Sequence, residues 1–307
     1  LSNFLILFAL LTSVQLSAKI VRGCQTWGFF AEFFWVLNYL DDCHRRNITP
    51  CVHWNEKFAY FDKNRKDTNN CWEYFFEPLS KERFEIGDEI SVEKLYNNDF
   101  SCIWSYQQYI ENLNLLSSND EITLINFEPF SSPFYEVYPA KDFHLYEKVF
   151  RSKVYNLINR YVILKPKLIC KINRLYNKLI KNQKVIGIHL RGGFLYNEVP
   201  EVSIDMIIDR ASREYDNETL FFIATDQEPL LEKFRTKLGP RVLFYDFKRY
   251  EKSSAPTFSA QLTPEDAENL IIETFLLSKC SHMIHTISNV STMALYLNPS
   301  MPHSLMY

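Results

Sequence analysis

From residue 184 onward, apolar and polar positions follow an order that predicts strands and helices in turn. Val185–Leu190 and Leu220–Ala224 are apolar runs of strand length, and Val242–Tyr245 and His282–His285 are two more. Between them Ser203 opens a helical stretch to about Tyr215, and Asp226 is placed to cap a helix that Gly239 ends. Thr263-Pro-Glu-Asp266 reads as a capping box with Pro at the first helical position, opening a helix to about Lys279. A last helix begins near Ser288 or Asn289. Strands joined by helices of this length need a parallel sheet with crossovers, a Rossmann-like half.

The first half is less regular. Lys19-Ile-Val-Arg22 predicts a short strand running into the Gly23–Gly28 turn. Phe30, Phe33, Phe34, Val36, Leu37 and Leu40 then keep helical spacing, and Pro50–Trp54 reads as a second strand. Strand, Gly-bearing turn, helix and strand open an α/β domain. Residues 60–140, broken by four prolines, read as irregular segments with short helices. Residues 143–182 are helical in period, with Pro166 as a kink or break and many Lys and Arg read as a solvated face. Residues 1–18 are uncharged and apolar from Phe4 to Leu11, and end in the small-residue stretch Leu16-Ser17-Ala18. A secretory signal or short membrane anchor fits them, and so does a buried first element. The expected organisation is a leader over 1–18, an N-terminal α/β domain with a helical connector over 19–183, and a C-terminal domain over 184–307. Export or membrane attachment follows from the first reading of the leader, a cytoplasmic protein from the second.

Composition narrows the function. With a net charge of −3 and no basic block, a nucleic-acid partner is excluded from the first rank. No G-x-G-x-x-G follows a strand, which argues against a dinucleotide oxidoreductase. The seven Cys form no C-x-x-C pair and no zinc-like spacing; disulfides near the N-terminus and buried thiols both remain open. No D-x-D occurs, so no metal is expected. Glycine is scarce, and five of the seven fall in two places: Gly23 and Gly28, then Gly187, Gly192 and Gly193.

Ligands of parallel sheets bind at the carboxyl ends of strands, which selects the residues to weigh. His189 and Arg191 share one face at the end of the first C-terminal strand, and Gly192 and Gly193 remove side chains just beyond. An Arg there offers forked donors to a diphosphate, although an Arg paired to a carboxylate beside a core His has the same spacing. Asp226 ends the second strand. Ser288 and Asn289 lie where the fourth strand enters a helix N-terminus, an anion site by its free N–H groups and dipole. Glu273, in mid-helix, could accept the N1 and N2 hydrogens of guanine if it faced the cleft, whereas helical Glu is more often solvent-facing.

Three motifs in this order resemble the α-1,6/α-1,2/protein-O-fucosyltransferase superfamily. They are Ile-Gly-Ile-His189-Leu-Arg191-Gly, Phe-Ile-Ala-Thr-Asp226, and the run from Leu270 through Glu273 to Thr286-Ile-Ser288-Asn289. The resemblance implies a GT-B fold, two Rossmann-like domains with a cleft between, and inverting, metal-independent transfer of fucose from GDP-fucose to a glycan or glycoconjugate. It implies that Arg191 binds the β-phosphate and stabilises the leaving diphosphate, that His189 contacts the nucleoside, and that Glu273 recognises guanine. Ser288 and Asn289 fall at phosphate-ligand positions, and the Gly23–Gly28 loop lends N–H groups to the diphosphate. Glu198 is the first candidate for the general base and Glu201 the second. Relatives often carry Thr-Asp where Gly193 and Phe194 stand, and Asp where Glu273 stands. A different GDP-sugar such as GDP-mannose, or an inactive GDP- or carbohydrate-binding homologue, are the competing readings.

Overall fold

A computed structural model of the chain describes residues 20–22, 28–46, 50–79, 123–125, 147–191, 202–251 and 262–306. The leader, Gly23, Gly192, Gly193, Glu198 and Glu201 lie outside the described residues. Among the described residues, no helix is long and apolar enough to cross a membrane.

The C-terminal half is built on a parallel five-stranded sheet. Its strands are β4 (Val185–His189), β5 (Leu220–Ala224), β6 (Val242–Leu243), β7 (His282–His285) and β8 (His303–Leu305), in the spatial order β6-β5-β4-β7-β8. Central β4 is buried along its whole length, as expected of an unbroken apolar run covered on both faces. Gly187 within it is needed for close approach: a Cβ there would lie 3.0 Å from Leu277 Cδ2 and 3.3 Å from Cys280 Sγ.

Helices α5 (Ile204–Glu214), α6 (Glu228–Leu238), α7 (Pro264–Leu277) and α8 (Asn289–Leu297) supply the crossovers. The capping box of α7 forms as its sequence predicts, with Thr263 Oγ1 accepting from Asp266 N and the Asp266 carboxylate accepting from Thr263 N. Gly239 ends α6 at φ +57°, a backbone state few other residues tolerate. Two expectations are corrected. Gln227, not Asp226, holds the N-cap position of α6, without a side-chain capping bond. The strand expected to reach Tyr245 stops at Leu243, because the Tyr245 and Phe247 carbonyls turn to the Arg249 guanidinium. The fifth strand, β8, carried too little apolar pattern to be expected; the Met283 N–H to Pro302 carbonyl bond ties its start to β7.

The N-terminal half contributes β1 (Ile20–Arg22), helix α1 (Phe29–Arg46), β2 (Cys51–Val52), the single-turn α2 (Trp72–Phe75) and β3 (Thr123–Ile125). Its three strands are parallel in the order β2-β1-β3. The third lies in the tract read as irregular. Among the described residues, the aromatic side chains of this half are mainly core. Phe29, Phe33, Trp54, Phe58, Trp72 and Phe75 are fully buried, and the Phe33 and Trp72 rings stack at 6.0 Å and 9°.

Helices α3 (Lys148–Tyr161) and α4 (Pro166–Leu179) form the connector, with Pro166 opening α4 rather than kinking a longer helix. One hydrophobic cluster runs through both halves, and Phe34 of α1 meets Tyr296 of α8 at 5.7 Å between ring centroids. The connector's charges are not all solvated: Arg151 is buried and its Nη1 donates to the Met301 carbonyl at 2.9 Å.

Candidate active site

The sheet order reverses direction between β4 and β7, where neighbouring strands connect to opposite sides and leave a crevice at their carboxyl ends. A cavity of about 270 Å³ opens there. It is walled by Gly28–Ala31, Ala59 and Tyr60 from the N-terminal half, and by His189, Arg191, Asp226, Glu273, Ser288 and Asn289 from the C-terminal half. Six residues selected at strand ends and on one helix thus meet in one place with Gly28.

His189 closes β4 with its ring buried. Nδ1 lies 3.2 Å from the Ala224 carbonyl and Nε2 3.1 Å from Ser288 Oγ. A carbonyl only accepts, so Nδ1 carries the proton, and Nε2 accepts from the Ser288 hydroxyl. Ser288 Oγ in turn accepts from Val290 N at 3.2 Å and caps α8. Burial, with the Arg191 charge acting the same way and the Ala224 bond against it, lowers the His189 pKa to about 4, so the ring is neutral near pH 7. This chain stitches β4 to α8 across the switch point. It also means that the Ser288 hydroxyl proton is already engaged.

Arg191, two residues beyond the strand's last pair, is exposed and lines the cavity. Gly28 is exposed on the opposite wall, and a Cβ added to it would meet no protein atom within 4 Å. The space beside that backbone belongs to the cavity.

Glu273 faces inward from α7 and is 3% exposed. Its Oε1 lies 3.4 Å from Arg249 Nη2. Burial pushes its carboxyl up to about 8; the Arg249 charge opposes that shift and the nearby Asp226 adds to it. Asp226, released from capping, lines the cavity at the end of β5, and its carbonyl accepts from Tyr250 N at 2.9 Å.

The segment after β6 was not foreseen as part of the site. Phe247, Lys248 and Tyr250 line the cavity, with Arg249 buried behind them. Asp246-Phe-Lys-Arg-Tyr250 follows a strand just as the selected residues do, so the same rule applied to the third strand would have found it. Tyr60 and Asp266 also line the cavity; nothing in the sequence marks Tyr60, and Asp266 is marked only as a helix cap. Among the described residues, no group of three or more His, Cys, Asp or Glu is disposed to hold a metal ion.

A parallel α/β sheet with a cavity at its switch point, ringed by an arginine, a helix N-terminus and a buried carboxyl group, is the arrangement in which open α/β sheets take their ligands. Neither a family model nor a curated protein matches the sequence. Solved structures do match. The fucosyltransferase NodZ from Bradyrhizobium superposes with a TM-score of 0.55 at 18% identity, over 91% of this chain and 91% of that one. An Arabidopsis thaliana FUT1 mutant in complex with GDP gives 0.56 at 9% identity, over 94% and 70%. POFUT1 in complex with GDP gives 0.51 at 9% identity, over 94% and 98%. The chain therefore has the fold shared by these fucosyltransferases.

Proposed function

We propose that the chain is a glycosyltransferase of the fucosyltransferase type, which binds GDP-fucose and transfers fucose to a glycan or glycoconjugate hydroxyl. The observation that carries the reading is the convergence of Arg191, the α8 N-terminus and Glu273 on one cavity at the switch point. The likeness in fold to NodZ, one of whose structures was soaked with GDP-fucose, and to POFUT1 with GDP supports the choice of donor.

In this reading the chain is a GT-B enzyme, its two Rossmann-like domains divided near residue 183, and the cavity lies between their contributions. Arg191 and the N–H groups at Asn289 hold the diphosphate. Glu273 accepts from guanine, His189 and Asp226 shape the nucleoside wall, and the Gly23–Gly28 loop and Gly192 let the phosphates approach the backbone. The acceptor oxygen attacks the sugar C1 on the face opposite the diphosphate. The C1–O bond to the phosphate breaks and its electron pair leaves with GDP, inverting the centre. Negative charge grows on the diphosphate, where Arg191 stabilises it without a metal ion. The acceptor proton passes to a carboxylate, for which Glu198 is the first candidate.

A second reading, a homologue that binds GDP or a carbohydrate without transfer, is favoured by Gly193 and Phe194 standing where relatives carry Thr-Asp. A GDP-release assay decides between them, run with GDP-fucose and GDP-mannose, a panel of glycan acceptors, and excess chelator. Acceptor-dependent GDP release from GDP-fucose, insensitive to chelator, is the expected result. Binding of GDP with no release under any acceptor supports the inactive homologue.

A further inference from the structure

Arg249, buried behind the cavity, bonds to three separate segments, and no role is yet attached to it. Its side chain is 1% exposed. Nε donates to the Thr225 carbonyl at 3.0 Å, Nη1 to Phe247 O at 3.3 Å, and Nη2 to Tyr245 O at 2.7 Å. The same Nη2 reaches Glu273 Oε1 at 3.4 Å. The guanidinium carbon also sits 4.3 Å from the centroid of the Phe247 ring. One buried cation therefore ties the end of β5, the segment after β6 and helix α7 together, behind two residues that face the cavity, Phe247 and Glu273.

We propose that Arg249 is the positioning residue that makes this cavity read guanine, by holding Glu273 as an ionised double acceptor and fixing Phe247 as the wall beside the base. The inference rests on the GDP-sugar reading and deepens it. The chemistry is a matter of donors and acceptors. The guanine edge presents two donors, N1–H and the N2 amino group, and an ionised carboxylate accepts both. A protonated carboxyl presents one donor and one acceptor, which suits the acceptor N1 and donor N6 of adenine instead. The charge state of Glu273 thus selects the base.

Burial works against the ionised form, and the groups around Glu273 divide. Arg249 and the Thr225 backbone N–H favour the charge, while Asp226 at the end of β5 opposes it. His189, Arg191, Lys248, Tyr250 and, on the same helix, Asp266 line the cavity around it. Arg249 supplies a charge-assisted hydrogen bond to the carboxyl from behind the cavity wall.

The test is calorimetric titration of GDP and of ADP into the full chain, from about pH 6 to about pH 8.5. The ratio of the two affinities cancels the ionisation of the diphosphate they share. The wild-type protein should prefer GDP, and that preference should grow with pH by up to about tenfold per unit until Glu273 is ionised. In Arg249→Gln the preference should fall by at least about tenfold near neutrality, with the rise displaced to higher pH. Arg249→Lys keeps a charge and should restore part of the preference, which a merely structural role would not do. Glu273→Gln should flatten the pH dependence. A folded Arg249→Gln variant with unchanged base preference and pH profile overturns the proposal. So does failure of both Arg249 variants to fold, since the residue is then structural. A wild-type protein that binds neither nucleotide removes the GDP reading itself, a result distinct from a change in base preference.

Discussion

The two ends of the cavity treat charge in opposite ways. At the β4 end His189 is kept neutral, both its ring nitrogens engaged by Ala224 and Ser288, while the cation beside it, Arg191, stands exposed. At the α7 end Arg249 and the Glu273 carboxyl are both buried and bonded to each other, and burial pushes that carboxyl up to about 8. An exposed guanidinium keeps its charge at little cost and meets an anion arriving from solvent. A buried carboxylate is expensive to ionise and depends on a neighbour to stay charged. The first arrangement suits a diphosphate that brings its own charge. The second suits a neutral base that must be recognised by hydrogen bonds.

The largest expected effect breaks the exposed end. Arg191→Ala should lower transfer from GDP-fucose by roughly a hundred- to a thousand-fold, as loss of a donor aimed at developing charge does elsewhere. Its thermal unfolding midpoint should stay close to wild type, because an exposed side chain contributes little to the fold. Steady-state GDP release and a melting curve on the same preparation check both halves. Glu273→Gln should weaken GDP binding by roughly ten- to a hundred-fold, the worth of hydrogen bonds to a charged group. Its effect should fall on affinity for the donor more than on turnover at saturation.

The same contrast predicts opposed responses of stability to pH. Burial lowers His189 to about 4 and His285 to about 3, against an ordinary 6.5. The unfolded chain therefore binds protons there that the fold does not. Stability from these rings is complete above the ordinary value and falls as pH drops through this window, by about 1.4 kcal/mol per unit for each ring still neutral. Glu273 runs the other way: its folded value of about 8 lies above the ordinary 4.5, so its contribution is complete at low pH and lost as pH rises between them. Urea unfolding across pH in His189→Asn and in Glu273→Gln separates the two. The first should flatten the acid limb, the second the limb toward alkaline pH.

The smallest effect concerns the start of α7, where Thr263 holds Asp266 at the cavity's edge. Thr263→Ala removes one half of the α7 capping box and should cost about 1 kcal/mol, or about 2 °C in the melting midpoint.

How much of this was legible in the sequence depended on the kind of signal. The strands β4, β5 and β7 and the helices after them announced themselves, because buried parallel strands are unbroken apolar runs and the helix ends carry Thr263, Pro264 and Gly239. His189, Arg191 and Ser288 followed from their places at strand ends. The N-terminal half was harder. β3 is three residues long, and its apolar pattern is lost among aromatics and prolines. The strand-end rule reaches the segment that carries Arg249 but not the residue's part in it, which comes from carbonyls turned toward it by a segment without regular structure. The reading of Asp226 as a helix cap erred by one residue, which matters because it left Asp226 in the cavity near Glu273.

The claim on which everything rests is that this cavity takes a guanosine diphosphate with its phosphates on Arg191. Titration of GDP into the wild-type chain and into Arg191→Ala tests it most directly. The account predicts saturable binding by the wild type and affinity at least about tenfold weaker in the variant, by the loss of one charge-assisted contact. Equal affinity in the two proteins, or no binding by a folded wild-type chain, would contradict it.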